Sequence, residues 1–163
     1  MDNIRDNIVA AAKTYIGRSF WGGIVGNYVS AYTCVHFGFD VYHSVGLLPD
    51  KPNVMEEYVK AYARYKYNNS QPFSVGVDQY FSKKKDGKIE PGDFIMIYYR
   101  KMTDIHFAIY VGNNQYIDTD PDRGYVDYTT LDALLSKDGA EGYLIYDALS
   151  NARTLAARAI DNN

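Results

Sequence analysis

The N-terminal half of the chain carries apolar residues at the spacing of amphipathic helices. A first helix is predicted over residues 3–16, and its apolar face consists of Ile4, Ile8, Ala11, Ala12 and Tyr15. A second helix is predicted over residues 34–45, because Thr33 can cap its start and Gly46 can end it. Residues 54–67 repeat the same helical period.

From residue 89 onwards the period changes to the alternation that is typical of strands. The turn Pro91-Gly92-Asp93 leads into the first of them, and Gly112-Asn113-Asn114 predicts a hairpin turn. The predicted strands cover residues 94–99, 105–111, 115–119, 125–128 and 143–146, with helices over 130–136 and 150–160. Helices followed by an antiparallel meander predict an α+β fold, which we expect to form a single domain over residues 1–163.

Composition narrows the classes of function. The chain has 163 residues, 47% of them hydrophobic, a net charge of −3 and no basic patch, so we expect no nucleic-acid partner. No apolar run reaches the roughly 20 residues of a membrane span. The start of the chain lacks the pattern of a signal peptide, so we expect synthesis in the cytoplasm, with delivery by a phage or a secretion system if the target lies outside.

One thiol and one imidazole are the candidate reactive groups. Cys34, the single cysteine, opens a predicted helix after a glycine-rich loop, and His106 lies on a predicted strand. A thiol and a histidine are the groups of a cysteine nucleophile and its base. The alternatives are a small buried cysteine and a hydrogen-bonded core histidine. His36 lies about 200° around the helix from Cys34, which makes it unsuitable as the base. We expect no metal and no cofactor.

Four features occur in order along the chain: Trp21-Gly22-Gly23, Cys34, Pro91-Gly92-Asp93 and the segment 106–113. In this order they resemble the NlpC-like cysteine peptidases of the papain-like superfamily, which are related to the CHAP amidases. The resemblance covers about residues 4–146. It implies a papain-like core in which N-terminal helices pack on an antiparallel sheet.

The resemblance also implies site residues. Cys34 would be the nucleophile, His106 the base and Asp118 the third catalytic residue. That third position is often His, Asn or Gln in the family, so aspartate is a departure, although a carboxylate can orient an imidazole well.

The substrate-binding residues implied by the resemblance are Trp21, Gly22 and Thr33. Trp21 would lie in the core or in the wall of the cleft, and Gly22 would allow the loop backbone to adopt its required conformation. Family members usually have Asp before the cysteine and Ser after it, whereas this chain has Thr33 and Val35. These departures concern the positions that bind substrate, and the thiol and imidazole are unaffected.

The hairpin gives the triad a geometric condition. His106 and Asp118 are each six residues from Gly112. An odd-length tip, or a bulge, puts both side chains on one face, whereas a regular two-residue tip puts them on opposite faces. If Asp118 faced away from His106, Gln115 or Asp120 would be the next candidates.

The expected function is that of a cysteine hydrolase, a monomer that cuts an amide bond in a peptidoglycan stem peptide or cross-bridge. One alternative is a thiol-dependent acyltransferase or deamidase that acts on another substrate. A second alternative is a catalytically silent domain that keeps the fold for binding or assembly.

Overall fold

A computed structural model of the chain describes residues 2–19, 33–48, 80–99, 104–120, 123–137 and 139–150. The helix predicted over 54–67, and all but the first residue of the one predicted over 150–160, lie outside these ranges. The described elements are α1 (Asp2–Thr14), α2 (Thr33–Ser44), β1 (Phe94–Tyr99), β2 (Asp104–Gly112), β3 (Gln115–Thr119), β4 (Val126–Thr129), α3 (Leu131–Leu135) and β5 (Ala140–Tyr146).

The strands form an antiparallel sheet in the order β4-β3-β2-β1-β5. Together with the helices that precede it, this sheet confirms the predicted α+β fold. Strand β5 starts at Ala140, earlier than the predicted residue 143. The reason is Gly142, which weakens a strand prediction but is needed here, because a Cβ atom at this position would lie 2.4 Å from Tyr98 Oη.

The turn at residues 91–93 ties α1 and the end of β5 to the start of β1. Its centre is the carboxylate of Asp93, which is fully buried. A buried carboxylate is tolerated only when several donors or cations surround it. At 2.6 to 2.9 Å from the two carboxylate oxygens lie Arg5 Nη1, Lys84 Nζ and the backbone nitrogens of Glu90 and Ala148.

Helix α2 approaches the sheet closely where Gly38 faces Phe107 of β2. A Cβ atom at Gly38 would lie 2.1 Å from the ring of Phe107. That ring is itself fully buried and stacks on Phe94 at a centroid distance of 4.3 Å. Gly38 is one helical turn beyond Cys34, and Phe107 is next to His106. The missing side chain at Gly38 therefore sets the separation between the two candidate reactive groups.

Replacing Gly38 by alanine tests this contact. Helix propensity alone predicts that Gly38→Ala stabilises α2 by about 1 kcal/mol. We expect the opposite result, a loss of about 1–3 kcal/mol in the free energy of unfolding, because the added methyl group overlaps a ring that has no room to move. Urea denaturation measures the difference, with His43→Ala on the exposed side of α2 as the control. A Gly38→Ala protein as stable as the wild type would contradict the close approach.

Candidate active site

Cys34 is the second residue of α2, and its side chain lies against the sheet with 4% of the residue exposed. Backbone N–H groups in the first turn of a helix have no acceptor within the helix, and the helix dipole favours negative charge there. This position suits a thiolate and an oxyanion. Trp21 and Gly22 lie outside the described residues, as does the side chain of Thr33.

The β2–β3 hairpin decides whether His106 and Asp118 share a face. Asn113 and Asn114 have φ angles of 53° and 58°, as expected for a two-residue tip. A regular hairpin with this tip would separate the two side chains, but β2 contains a bulge next to the turn. The aligned pairs are Gly112 with Gln115, Tyr110 with Tyr116 and Ile109 with Ile117.

The bulge brings the imidazole of His106 and the carboxylate of Asp118 together. From the pairing of Ile109 with Ile117, the register puts Asp118 opposite Ala108, so that His106 is its diagonal neighbour on the same face. His106 Nε2 lies 2.6 Å from Asp118 Oδ2. The thiol of Cys34 lies near enough to the imidazole to contribute, with Asp118, to raising the pKa of His106. The structure thus brings together all three residues that the resemblance implied as catalytic, and neither Gln115 nor Asp120 is needed in place of Asp118.

Burial and charge act in opposite directions on the two ionisable groups of this contact. His106 is 7% exposed and Asp118 is 2% exposed. Burial alone would lower the pKa of His106, but the hydrogen bonds and charges of Asp118 and Cys34 outweigh it and raise that pKa to about 10. Burial alone would raise the pKa of Asp118, but His106 and Arg123 hold it below its usual value. An imidazolium and a carboxylate are therefore the forms present at neutral pH.

Arg123 is a member of this cluster that the sequence analysis missed. Its Nη2 donates to Asp118 Oδ1 at 2.9 Å and to the backbone oxygen of Asp118 at 2.7 Å. It lies in the connection between β3 and β4, only five residues beyond Asp118. The signal that could have found it is that Arg123 is the nearest basic residue to Asp118 along the chain.

Two features of the described residues bear on other classes of site. No group of three or more His, Cys, Asp or Glu side chains in the described ranges is arranged to hold a metal ion. None of the helices described is both long enough and apolar enough to span a membrane.

The sequence of residues 18–139 matches the NlpC/P60 family. The chain belongs to the NlpC/P60 family. The match includes Cys34, His106, Asp118 and Arg123 and confirms the resemblance found in the sequence. NlpC/P60 proteins are generally cysteine peptidases or amidases, and the family is associated with the bacterial cell wall.

Solved structures of NlpC/P60 proteins share the fold. NlpC1 of Trichomonas vaginalis is 17% identical with a TM-score of 0.56, and the alignment covers 88% of this chain and 44% of that protein. NlpC2 of the same organism is 17% identical with a TM-score of 0.55, covering 86% of this chain and 45% of that protein. The peptidoglycan hydrolase RipB of Mycobacterium tuberculosis is 16% identical with a TM-score of 0.49, covering 88% and 64%.

This chain therefore spans less than half the length of the two Trichomonas proteins. No curated protein matches the chain in sequence. At 17% identity the similarity to the two Trichomonas structures shows the fold alone, and the residues of the site are argued from their own geometry.

The protonation of His106 can be measured by NMR. We expect its imidazole to remain charged up to about pH 10, well above the ordinary histidine value of about 6.5. Because the folded pKa is the higher one, the stabilisation from this proton is complete below about pH 6.5 and is lost as the pH rises through about 10. Asp118→Asn removes one charge that raises the pKa, so the midpoint should fall.

The signal of His106 is identified by its absence in His106→Ala. Signals of His36 and His43 in the same spectra serve as the internal control, because neither side chain is paired with Asp118. A wild-type midpoint near 6.5, or a midpoint unchanged in Asp118→Asn, would contradict the contact between His106 and Asp118.

Proposed function

We propose that this protein is a cysteine hydrolase that cleaves an amide bond. The observation that carries the proposal is the 2.6 Å contact between His106 Nε2 and the buried carboxylate of Asp118, with the thiol of Cys34 acting on the same imidazole. Membership of a family of cysteine peptidases and amidases supports it. A core histidine that served only packing would not need an ionised partner on one side and the single cysteine of the chain on the other.

The proposed reaction has two halves. The sulfur of Cys34 attacks the amide carbonyl carbon and forms a C–S bond, while the C–N bond breaks and His106 gives its proton to the leaving amine. The backbone N–H of Cys34 stabilises the negative oxygen of the intermediate. Water then attacks the thioester and gives one proton to His106, the C–S bond breaks, and the carboxylic acid product leaves as the thiolate and imidazolium are restored.

Asp118 acts through His106 in this scheme. Because its Oδ2 holds Nε2 of the imidazole, the other ring nitrogen, Nδ1, is the atom that exchanges a proton with sulfur, substrate and water. The carboxylate also stabilises the imidazolium that balances the ionised thiol. The buried position of Asp118 strengthens both effects, because water does not screen the interaction.

For the substrate we propose an amide bond in a peptidoglycan stem peptide or cross-bridge, because the family is one of cell-wall amidases and peptidases. Transfer of the acyl group to an amine uses the same thioester. Hydrolysis and acyl transfer differ only in whether water or an amine attacks the thioester, so the cleavage assay on wall peptides is also run with an added amine.

The first test is the pH dependence of alkylation of Cys34 by iodoacetamide. At about pH 6.5 only about 1% of an ordinary thiol is ionised, so an unassisted cysteine reacts slowly. We expect the wild-type rate to stay high at this pH and to be about 100-fold higher than that of His106→Ala, with convergence near about pH 10. The midpoint of the profile is the readout, since it does not depend on how accessible the thiol is.

His43→Ala provides the matched control, because it removes another imidazole from the molecule and leaves the site untouched. We expect its profile to follow the wild type. Wild-type and His106→Ala profiles that both have midpoints near about 8.5 would refute the working pair.

The second test uses purified wall peptides as substrate. We expect the wild type to release one new amine terminus and one new carboxylate, and Cys34→Ala to release neither. A reactive thiol with no cleavage of any wall peptide would refute the peptidoglycan substrate while leaving the hydrolase chemistry in place. If products carry the added amine in place of a carboxylate, the protein is a transferase.

A further inference from the structure

The carboxylate of Asp118 is shared between two cations. Oδ2 faces His106 Nε2 at 2.6 Å, and Oδ1 accepts a hydrogen bond from Arg123 Nη2 at 2.9 Å. Each oxygen of the carboxylate therefore bonds to a different cation. Rotation of the carboxylate about its Cβ–Cγ bond would break both contacts, so the guanidinium fixes the orientation in which Asp118 meets the imidazole.

The guanidinium of Arg123 is itself held in place. Its Nε donates to the backbone oxygen of Tyr125 at 2.8 Å, and its Nη2 also reaches the backbone oxygen of Asp118 at 2.7 Å. The guanidinium carbon lies 5.4 Å from the centre of the Tyr125 ring. A planar group with acceptors on two of its nitrogens cannot be replaced in geometry by an ammonium.

The charges around Asp118 explain why it needs a second cation. On β4 the residue directly opposite Asp118 is Asp127, another carboxylate, and like charges in this position repel. Asp120 adds a further negative charge in the β3–β4 connection, where it is paired with Lys137. On the other side lie His106 of β2 and, next to it, the thiol of Cys34.

When the thiol ionises, His106 is needed to balance the thiolate. Asp118, which is 2% exposed, would then be left with Asp127 opposite it and no cation of its own. Arg123 supplies this cation, and its side chain is partly buried, with 23% exposed.

We propose that Arg123 is a positioning residue of the active site, which orients the carboxylate of Asp118 towards His106 and keeps it ionised while His106 balances the thiolate. The inference rests on the proposed function, because it assigns Arg123 a role only if Cys34 and His106 work as a pair. Arg123 does not touch the reacting atoms, and its effect on them passes through Asp118.

The test is again the midpoint of the alkylation profile of Cys34, measured in Arg123→Gln. We expect the midpoint to rise by about one pH unit, which lowers the rate about tenfold at pH values below both midpoints. Arg123→Lys keeps the charge but loses the paired hydrogen bonds, so its midpoint should lie between those of Arg123→Gln and the wild type. If Arg123→Gln does not fold, Arg123→Lys decides the question, and a wild-type midpoint there would overturn the proposal.

Removing Arg123 in two backgrounds, the wild type and Asp118→Asn, distinguishes the positioning role from a purely structural role. In Asp118→Asn there is no carboxylate to orient, so adding Arg123→Gln should leave the midpoint where Asp118→Asn alone puts it. An equal shift in both backgrounds would overturn the proposal, because Arg123 would then act on the thiol without Asp118. An unchanged midpoint in folded Arg123→Gln would overturn it as well.

Lys137→Gln is the matched control for the loss of a nearby positive charge. Lys137 pairs with Asp120 and makes no contact with Asp118 within the described part of the chain, so its removal should leave the profile unchanged. A shift as large as that of Arg123→Gln would attribute the effect to net charge and overturn the proposal. If the wild type itself titrates like an ordinary thiol, the proposed function fails, and that result is distinct from all of these.

Discussion

The contact between Gly38 and Phe107 is the constraint on which the site depends. It lets the backbone of α2 come close to β2, and it does so one helical turn from Cys34 and one residue from His106. The ring of Phe107 has no room to move aside, because Phe94 stacks on one side of it and Phe39 meets it edge to face. Close packing in the core therefore fixes a distance between two reactive groups that are far apart along the chain.

Much of the fold could be predicted because its signals are local. Strands β1 and β3 have the predicted bounds, and α1, α2, β2 and β4 differ from prediction by one or two residues. The register of the β2–β3 hairpin was harder to predict than the strands. Gly112, Asn113 and Asn114 all adopt positive φ angles, and all are residue types that tolerate them, so residue type alone does not locate the tip. Their identity shows that a tight turn is present, but the choice between an odd tip and a bulge depends on pairing across the whole hairpin.

Arg123 could not be assigned because several acceptors compete for it within a few residues. Its backbone nitrogen bonds to Asp120, whereas its side chain turns back to Asp118 and its Nε reaches Tyr125. Which carboxylate receives the guanidinium depends on the path of the connection between β3 and β4, and the path depends on the register of those strands. Spacing along the sequence shows only that Arg123 is the nearest basic residue to Asp118, whereas Cys34 and His106 each lie in an element, α2 and β2, that the sequence predicts.

The cluster is best understood as a row of charges that alternate in sign. In the proposed mechanism the thiolate of Cys34, the imidazolium of His106, the carboxylate of Asp118 and the guanidinium of Arg123 follow one another, and each inner member has an opposite charge on both sides. Burial makes any single member costly when its neighbour is missing. An aspartate in the third position, where the resemblance implies His, Asn or Gln more often, is compatible with burial because the guanidinium of Arg123 pairs with it. The departure from the family at Asp118 and the presence of Arg123 are thus one feature of the site and not two.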